Sequence, residues 1–148
     1  MTRLVCLVAA AFAALVAFPA GRAFAQNATT PGAVTTPYPT SQGIAIEWPI
    51  TGDANGNGVV TVRYRENGGT WKVGMPLRRI PAGSNTTGTF GSGNGQWANK
   101  HAGSIFDIIA GQIYEIELTL TDPDGGADQQ TVVVATRPVS SAARAFCI

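Results

Sequence analysis

Tyr114-Glu115-Ile116-Glu117-Leu118-Thr119-Leu120-Thr121 is the stretch that decides the fold class. Its large apolar groups fall on every second residue, with carboxylates and hydroxyls between them. In an extended chain this period of two places Tyr114, Ile116, Leu118 and Leu120 on one face and Glu115, Glu117, Thr119 and Thr121 on the other, the pattern of a strand buried on one side. A helix would scatter the same residues around its axis. The period recurs upstream, where Val60, Val62 and Tyr64 alternate with Thr61, Arg63 and Arg65, and where Ile44, Ile46 and Trp48 alternate with Ala45 and Glu47. Pro49 reads as the close of that earlier strand. Thr131 to Thr136 is a Val-rich strand ended by Arg137-Pro138.

Turn chemistry separates these runs. Thr51-Gly52-Asp53-Ala54-Asn55-Gly56-Asn57-Gly58 and Asp122-Pro123-Asp124-Gly125-Gly126 combine residues that tolerate positive φ with side chains that bond their own backbone. Glu66-Asn67-Gly68-Gly69 is a hairpin signal, returning through Thr70 to Val73 and through Leu77 to Ile80 beyond Pro76. Pro81 to Ser104 is rich in Gly, Ser and Asn, holds only Phe90 and Trp97 as large apolar groups, and reads as a long loop or a concealed short strand, with residues 82–103 expected to be the most mobile part of the molecule. Order is expected to return at Ile105. About seven short antiparallel strands with no helix predict an all-β sandwich with Trp48, Tyr64, Tyr114, Ile116, Leu118 and Val132 or Val134 in its core.

The N-terminus has a different composition. Arg3 is followed by an uncharged apolar run from Leu4 to Phe18, and Ala23-Phe24-Ala25 supplies a small-x-small cleavage site. This layout predicts a signal peptide over 1–25, cleaved near Ala25, and a secreted or periplasmic protein. The competing reading is an uncleaved anchor, but the apolar run is shorter than the ~20 residues a spanning helix requires. Cleavage leaves 123 of the 148 residues, enough for one domain. Loss of Arg3 and Arg22 reduces ten basic residues to eight against nine acidic ones. No basic surplus then remains for nucleic acid, and nothing after cleavage inserts in a membrane. Cys6 leaves with the leader, so Cys147 has no internal partner.

Three segments in order resemble a fibronectin type III domain: Ile44-Ala45-Ile46-Glu47-Trp48, Val62-Arg63-Tyr64-Arg65 and Ile108-Ile109-Ala110-Gly111-Gln112-Ile113-Tyr114. The last is similar to the family's Leu-x-Pro-Gly-Thr-x-Tyr segment, with Ala110 in the place of Pro. The resemblance implies an immunoglobulin-like sandwich in which Tyr114 forms a tyrosine corner, its hydroxyl bonded back to the backbone near its own turn. Taken with Gly103-Ser104-Ile105-Phe106-Asp107 and Thr121 to Gly126, the chain looks like modules at the N-terminus of exported bacterial proteins that carry a parallel β-helix domain. The layout is then signal peptide 1–25, extended leader 26–39 whose end offers a first edge strand, fibronectin type III-like domain 40–138, and a linker start or truncated tail over 139–148.

Candidate chemistry is sparse. Asp53-x-Asn55-x-Asn57-Gly58 matches the first half of a calcium loop, but its twelfth position is Tyr64 where a bidentate Glu is required, and a side-chain-bonded turn explains the same residues. Asp122, Asp124 and Asp128 present the same choice. His101 is the only histidine, so neither a multi-His zinc site nor a His pair can be assembled. Ser84, Ser92 and Ser104 lack the Gly-x-Ser-x-Gly setting of a nucleophile elbow. Asn94, Trp97, Asn99, Lys100 and His101 form the candidate contact surface, since an indole can stack on a sugar ring while amides bond its hydroxyls. The opposing reading folds Trp97 back over the core. Arg63, Arg65, Arg78 and Arg79 read as the solvated face of two paired strands.

These observations predict a secreted module without catalytic residues or a cofactor, acting as a spacer or docking domain. Its partner is a covalently following or associated larger domain. The alternative is a carbohydrate-binding module that holds polysaccharide on the Trp97 loop.

Overall fold

The computed structural model describes residues 27–85 and 95–139. The signal peptide, the tail from 140 to 148 with Cys147, and Asn94 of the candidate contact surface lie outside the described residues.

Alternation governs the long strands. In Gly43–Thr51 (β2) the buried residues are Ile44, Ile46, Trp48 and Ile50, in Val59–Glu66 (β3) Val60 and Val62, and in Ile113–Thr121 (β9) Tyr114, Ile116, Leu118 and Leu120. Strips of this kind leave water together only by facing one another, which requires two sheets. In one sheet β2 lies between Thr30–Pro31 (β1) and Lys100–Phe106 (β8), with Arg78–Ile80 (β5) beyond β8; in the other β9 lies between Asp128–Ala135 (β10) and β3, with Lys72–Val73 (β4) beyond β3. Every pairing is antiparallel. Inward side chains of both sheets form one cluster that includes Trp48, Val60, Leu77, Ile105, Tyr114 and Leu118. This is the β-sandwich the alternation predicted, and no helix occurs among the described residues. Tyr64, Val132 and Val134 pack against the cluster while partly buried.

Two expectations require correction and one is refined. Pro49 does not end β2, which runs on to Thr51. Lacking an N–H, Pro49 cannot bond the carbonyl of Gly32, its neighbour toward β1. That oxygen instead accepts from the Trp48 indole Nε1 and from Gln130 Nε2, each at 2.9 Å, while the Gly32 N–H donates to Pro49 O at 2.8 Å. Side-chain donors replace the ladder bond, and the strand continues.

The refinement concerns the leader, where the expected edge strand lies earlier, at Thr30–Pro31, with a bridge at Thr35. Residues 29–35 are part of the sandwich: β1 pairs with β2, Thr35 and Glu47 exchange backbone hydrogen bonds, and Thr29 is buried. Finally, Pro81 to Ser104 is not without structure. Gly83–Asn85 (β6) and Gly95–Trp97 (β7) pair as a two-stranded ribbon, and β8 begins at Lys100 rather than at Ile105. Counting back by twos from Ile105 reaches Gly103 and His101, so the period was there, obscured by small residues.

Below the core, at the turn into β9, the Ile109 N–H donates to the Tyr114 hydroxyl at 2.9 Å, the backward bond expected of this tyrosine. Thr136 braces the same turn. Its hydroxyl donates to Ile109 O at 2.8 Å and accepts from the Gln112 N–H at 3.0 Å, tying the turn to the chain leaving β10.

Candidate functional site

The polar residues singled out from sequence gather at the opposite end of the sandwich, where the loop from 52 to 58 joins β2 to β3. Asp53 starts this loop with φ of 52°, a left-handed conformation that Asp tolerates, and its side chain turns inward to complete burial. One carboxylate oxygen accepts the Gly58 N–H at 3.2 Å, and the other accepts Arg79 Nε at 2.6 Å. Arg79 also donates to Asp53 O and to the Asn99 side-chain oxygen, and Asn99 Nδ2 donates to Gly52 O at 3.0 Å. Burial would raise the Asp53 carboxyl, but Arg79 and the N–H groups of Gly58 and Asn57 outweigh it and hold the group below its ordinary value.

Arg79 therefore does not belong to a solvated face. It follows Leu77 by two residues on an edge strand, which directs both side chains inward, and only 19% of its side chain is exposed. Sequence reading grouped it with Arg78 because adjacent arginines look alike until the strand register separates them.

Asn55 and Asn57 do not converge with Asp53. Their amide nitrogens donate to one oxygen of Asp124 at 2.7 and 2.8 Å, binding this loop to the turn between β9 and β10 and holding the Asp124 carboxyl below its ordinary value. Asp122 accepts from the Asp124 N–H at 2.7 Å and from the Thr29 hydroxyl at 2.5 Å, while Asp128 accepts from Gln130. The oxygen donors of a cation loop are thus spent on Arg79, on amides and on a hydroxyl. Among the described residues no group of three His, Cys, Asp or Glu side chains is placed to hold a metal ion.

The candidate contact surface is divided by its own strand. His101 is 1% exposed and points inward, and Asn99 belongs to the Arg79 network. Among the described members Trp97 remains toward solvent, while Lys100 lies on the outer face with 18% of its side chain exposed. Lys100 Nζ pairs with Glu47 at 2.6 Å. Trp97 is 40% exposed, its Nε1 donates to Pro81 O at 2.9 Å, and its ring lies over Gly83, where a Cβ would come within 2.5 Å of Cζ2. Trp97 packs on the β6–β7 ribbon and not over the core. Among the described residues neither ring nitrogen of His101 has a hydrogen-bond partner, so neither Ser84 nor Ser104 is bonded to it, and Ser92 lies outside the described residues.

Sequence reading missed a second polar array, on the outer face of the sheet containing β3. Arg63 pairs with Glu117 and Arg65 with Glu115, both at 2.5 Å, and the two guanidinium groups lie 4.7 and 4.4 Å from the centre of the Trp71 ring. Glu117 is held below its ordinary value by Arg63. The signal was available in the alternation Arg63-x-Arg65 opposite Glu115-x-Glu117, a register that places unlike charges side by side.

The sequence matches no protein-family model and no curated protein.

Proposed function

We propose that this chain is an exported, non-catalytic module of the fibronectin type III kind, serving as a spacer or docking domain for a larger partner domain. The observation that carries the reading is the Ile109–Tyr114 hydrogen bond, set within sheets ordered β1-β2-β8-β5 and β10-β9-β3-β4. Immunoglobulin-like sandwiches place their strands in this succession, with a tyrosine at the start of the penultimate strand. Fold alone does not assign an activity. The engagement of Asp53, Arg79 and Asn99 with one another supports a structural role for the polar residues at this end.

A second reading rests on Trp97. With its N–H anchored and one face backed by Gly83, the ring offers a flat partner for a sugar face, although Asn99 and His101 are turned away from it. One set of measurements addresses both readings. The secreted protein is sequenced at its N-terminus, screened on a glycan array, and assayed on ester, glycoside and phosphate substrates. The spacer reading expects cleavage near Ala25, no glycan retained and no turnover. Binding lost in Trp97→Ala would replace it with the carbohydrate reading, and turnover lost in His101→Gln would overturn both.

A further inference from the structure

His101 is the chain's only histidine, and it sits inside the sandwich with both ring nitrogens unpaired among the described residues. A buried imidazole without an acceptor can be accommodated only as the neutral ring, since a charge there would lack both water and a counter-ion of its own. Its surroundings strengthen that preference. Its cross-strand partner in β5 is Arg79, a permanent cation, and its partner in β2 is Trp48. The loop from 52 to 58 contributes Asp53, already committed to Arg79 and Gly58. At this end the facing sheet presents Val60, Val62, Leu118 and Leu120, none of which titrates, while Tyr64 and Tyr114 lie toward the far ends of β3 and β9. Lys100 and Glu47 pair with each other on the outer face. Burial, reinforced by Arg79 and partly opposed by Asp53 and by the Leu77 backbone, pushes the imidazole below its ordinary value.

The strand beside His101 at the sheet edge, β5, is short. β5 has three residues in register with β8, one backbone bond from Leu77 to Val60 at 3.0 Å, and the Arg79 anchor. We propose that His101 is an acid-release latch: its protonation opposite Arg79 detaches β5, together with the β6–β7 ribbon that follows it, and frees the loop from 52 to 58 while β3 and β9 stay folded. The open form takes up its proton near the ordinary imidazole value of about 6.5, and the closed form resists until lower pH. Between those two values the opening constant rises about tenfold for each pH unit of acidification, and outside them it is level.

A single imidazole makes the test direct. NMR follows the His101 ring in the full chain between about pH 7.5 and 5, while amide exchange, corrected for its intrinsic pH dependence, is read in wild type and in His101→Gln. The expected result is an imidazole that stays neutral well below its ordinary titration range. Amides of 52–58, 78–80 and 100–102 lose protection about tenfold per pH unit, β3 and β9 keep theirs, and His101→Gln shows no such loss. An imidazole titrating at its ordinary value with protection unchanged overturns the proposal. So does the same loss in His101→Gln, or a loss that extends equally through β3 and β9. Should His101→Gln not fold, the wild-type ring titration and the location of the exchange still decide the matter.

Discussion

Arg79 Nε lies 2.6 Å from a carboxylate oxygen of Asp53, and the Asp53 side chain has no exposure to solvent. This pair closes one end of the sandwich, because it joins the loop after β2 to the edge strand β5 and, through Asn99, to the start of β8. Removing Arg79 strands a buried carboxylate, so Arg79→Leu should lose about 3–5 kcal/mol in urea unfolding, whereas Asp53→Asn/Arg79→Leu should recover part of that loss. A loss in the double variant equal to the sum of the Arg79→Leu and Asp53→Asn losses would show that the pair is not coupled.

The same pair sets an acid limit. The folded-state carboxyl of Asp53 lies below its value of 3.8 in the unfolded chain. Its contribution is therefore complete above 3.8 and is lost as pH falls through the lower, folded value. Asp53→Asn should flatten the stability profile in that acid window while leaving the profile near neutrality unchanged. A profile as steep in the variant as in wild type would assign acid unfolding to other carboxylates.

At the opposite end, Tyr114→Phe keeps the ring and removes the acceptor for the Ile109 N–H. The expected cost is about 1–3 kcal/mol, the range for leaving a buried donor unpaired. Thr136→Val should lose a similar amount, since the Thr136 hydroxyl bonds both Ile109 O and the Gln112 N–H. Thermal unfolding of the two single variants and the double variant tests whether they brace one turn, in which case the double loss is smaller than the sum.

Trp48→Ala should lose about 3–5 kcal/mol by emptying a fully buried site. Trp48→Phe separates volume from hydrogen bonding, because it fills much of the space while leaving Gly32 O with Gln130 as its side-chain donor. Chemical denaturation of both variants provides the comparison, and an unchanged midpoint for Trp48→Ala contradicts the packing described for the core.

Gly126 has φ of 99°, and a Cβ there would fall 1.7 Å from Thr29 O. Gly126→Ala must therefore push the N-terminal segment off the turn between β9 and β10. Amide exchange should report lost protection at the Thr29 N–H, which donates to Gly125 O at 3.0 Å. Retained protection would place the adjustment in the turn itself.

The strands β2, β3 and β9 and the inward identity of their apolar residues were determined by sequence alone, because burial on one face imposes a two-residue period that survives without any knowledge of partners. The backward bond of Tyr114 was expected only from the resemblance carried by Ile108 to Tyr114, and the fold places it on the Ile109 N–H. The polar end of the sandwich was not legible. Asp53, Asn55 and Asn57 read as one oxygen cluster, but the fold gives Asp53 to Arg79 and the two asparagines to Asp124, partners 26, 69 and 67 residues away. Asn99 and His101 read as surface residues because Gly, Ala and Ser around them hide the strand period, and β8 turns them inward once it pairs with β2 and β5. Local periodicity reports which face of a strand is buried; it carries no information on which distant side chain meets a polar group there. That is decided only when register and sheet packing bring remote segments together, and the cost of leaving a buried donor or charge unmatched selects among the partners within reach.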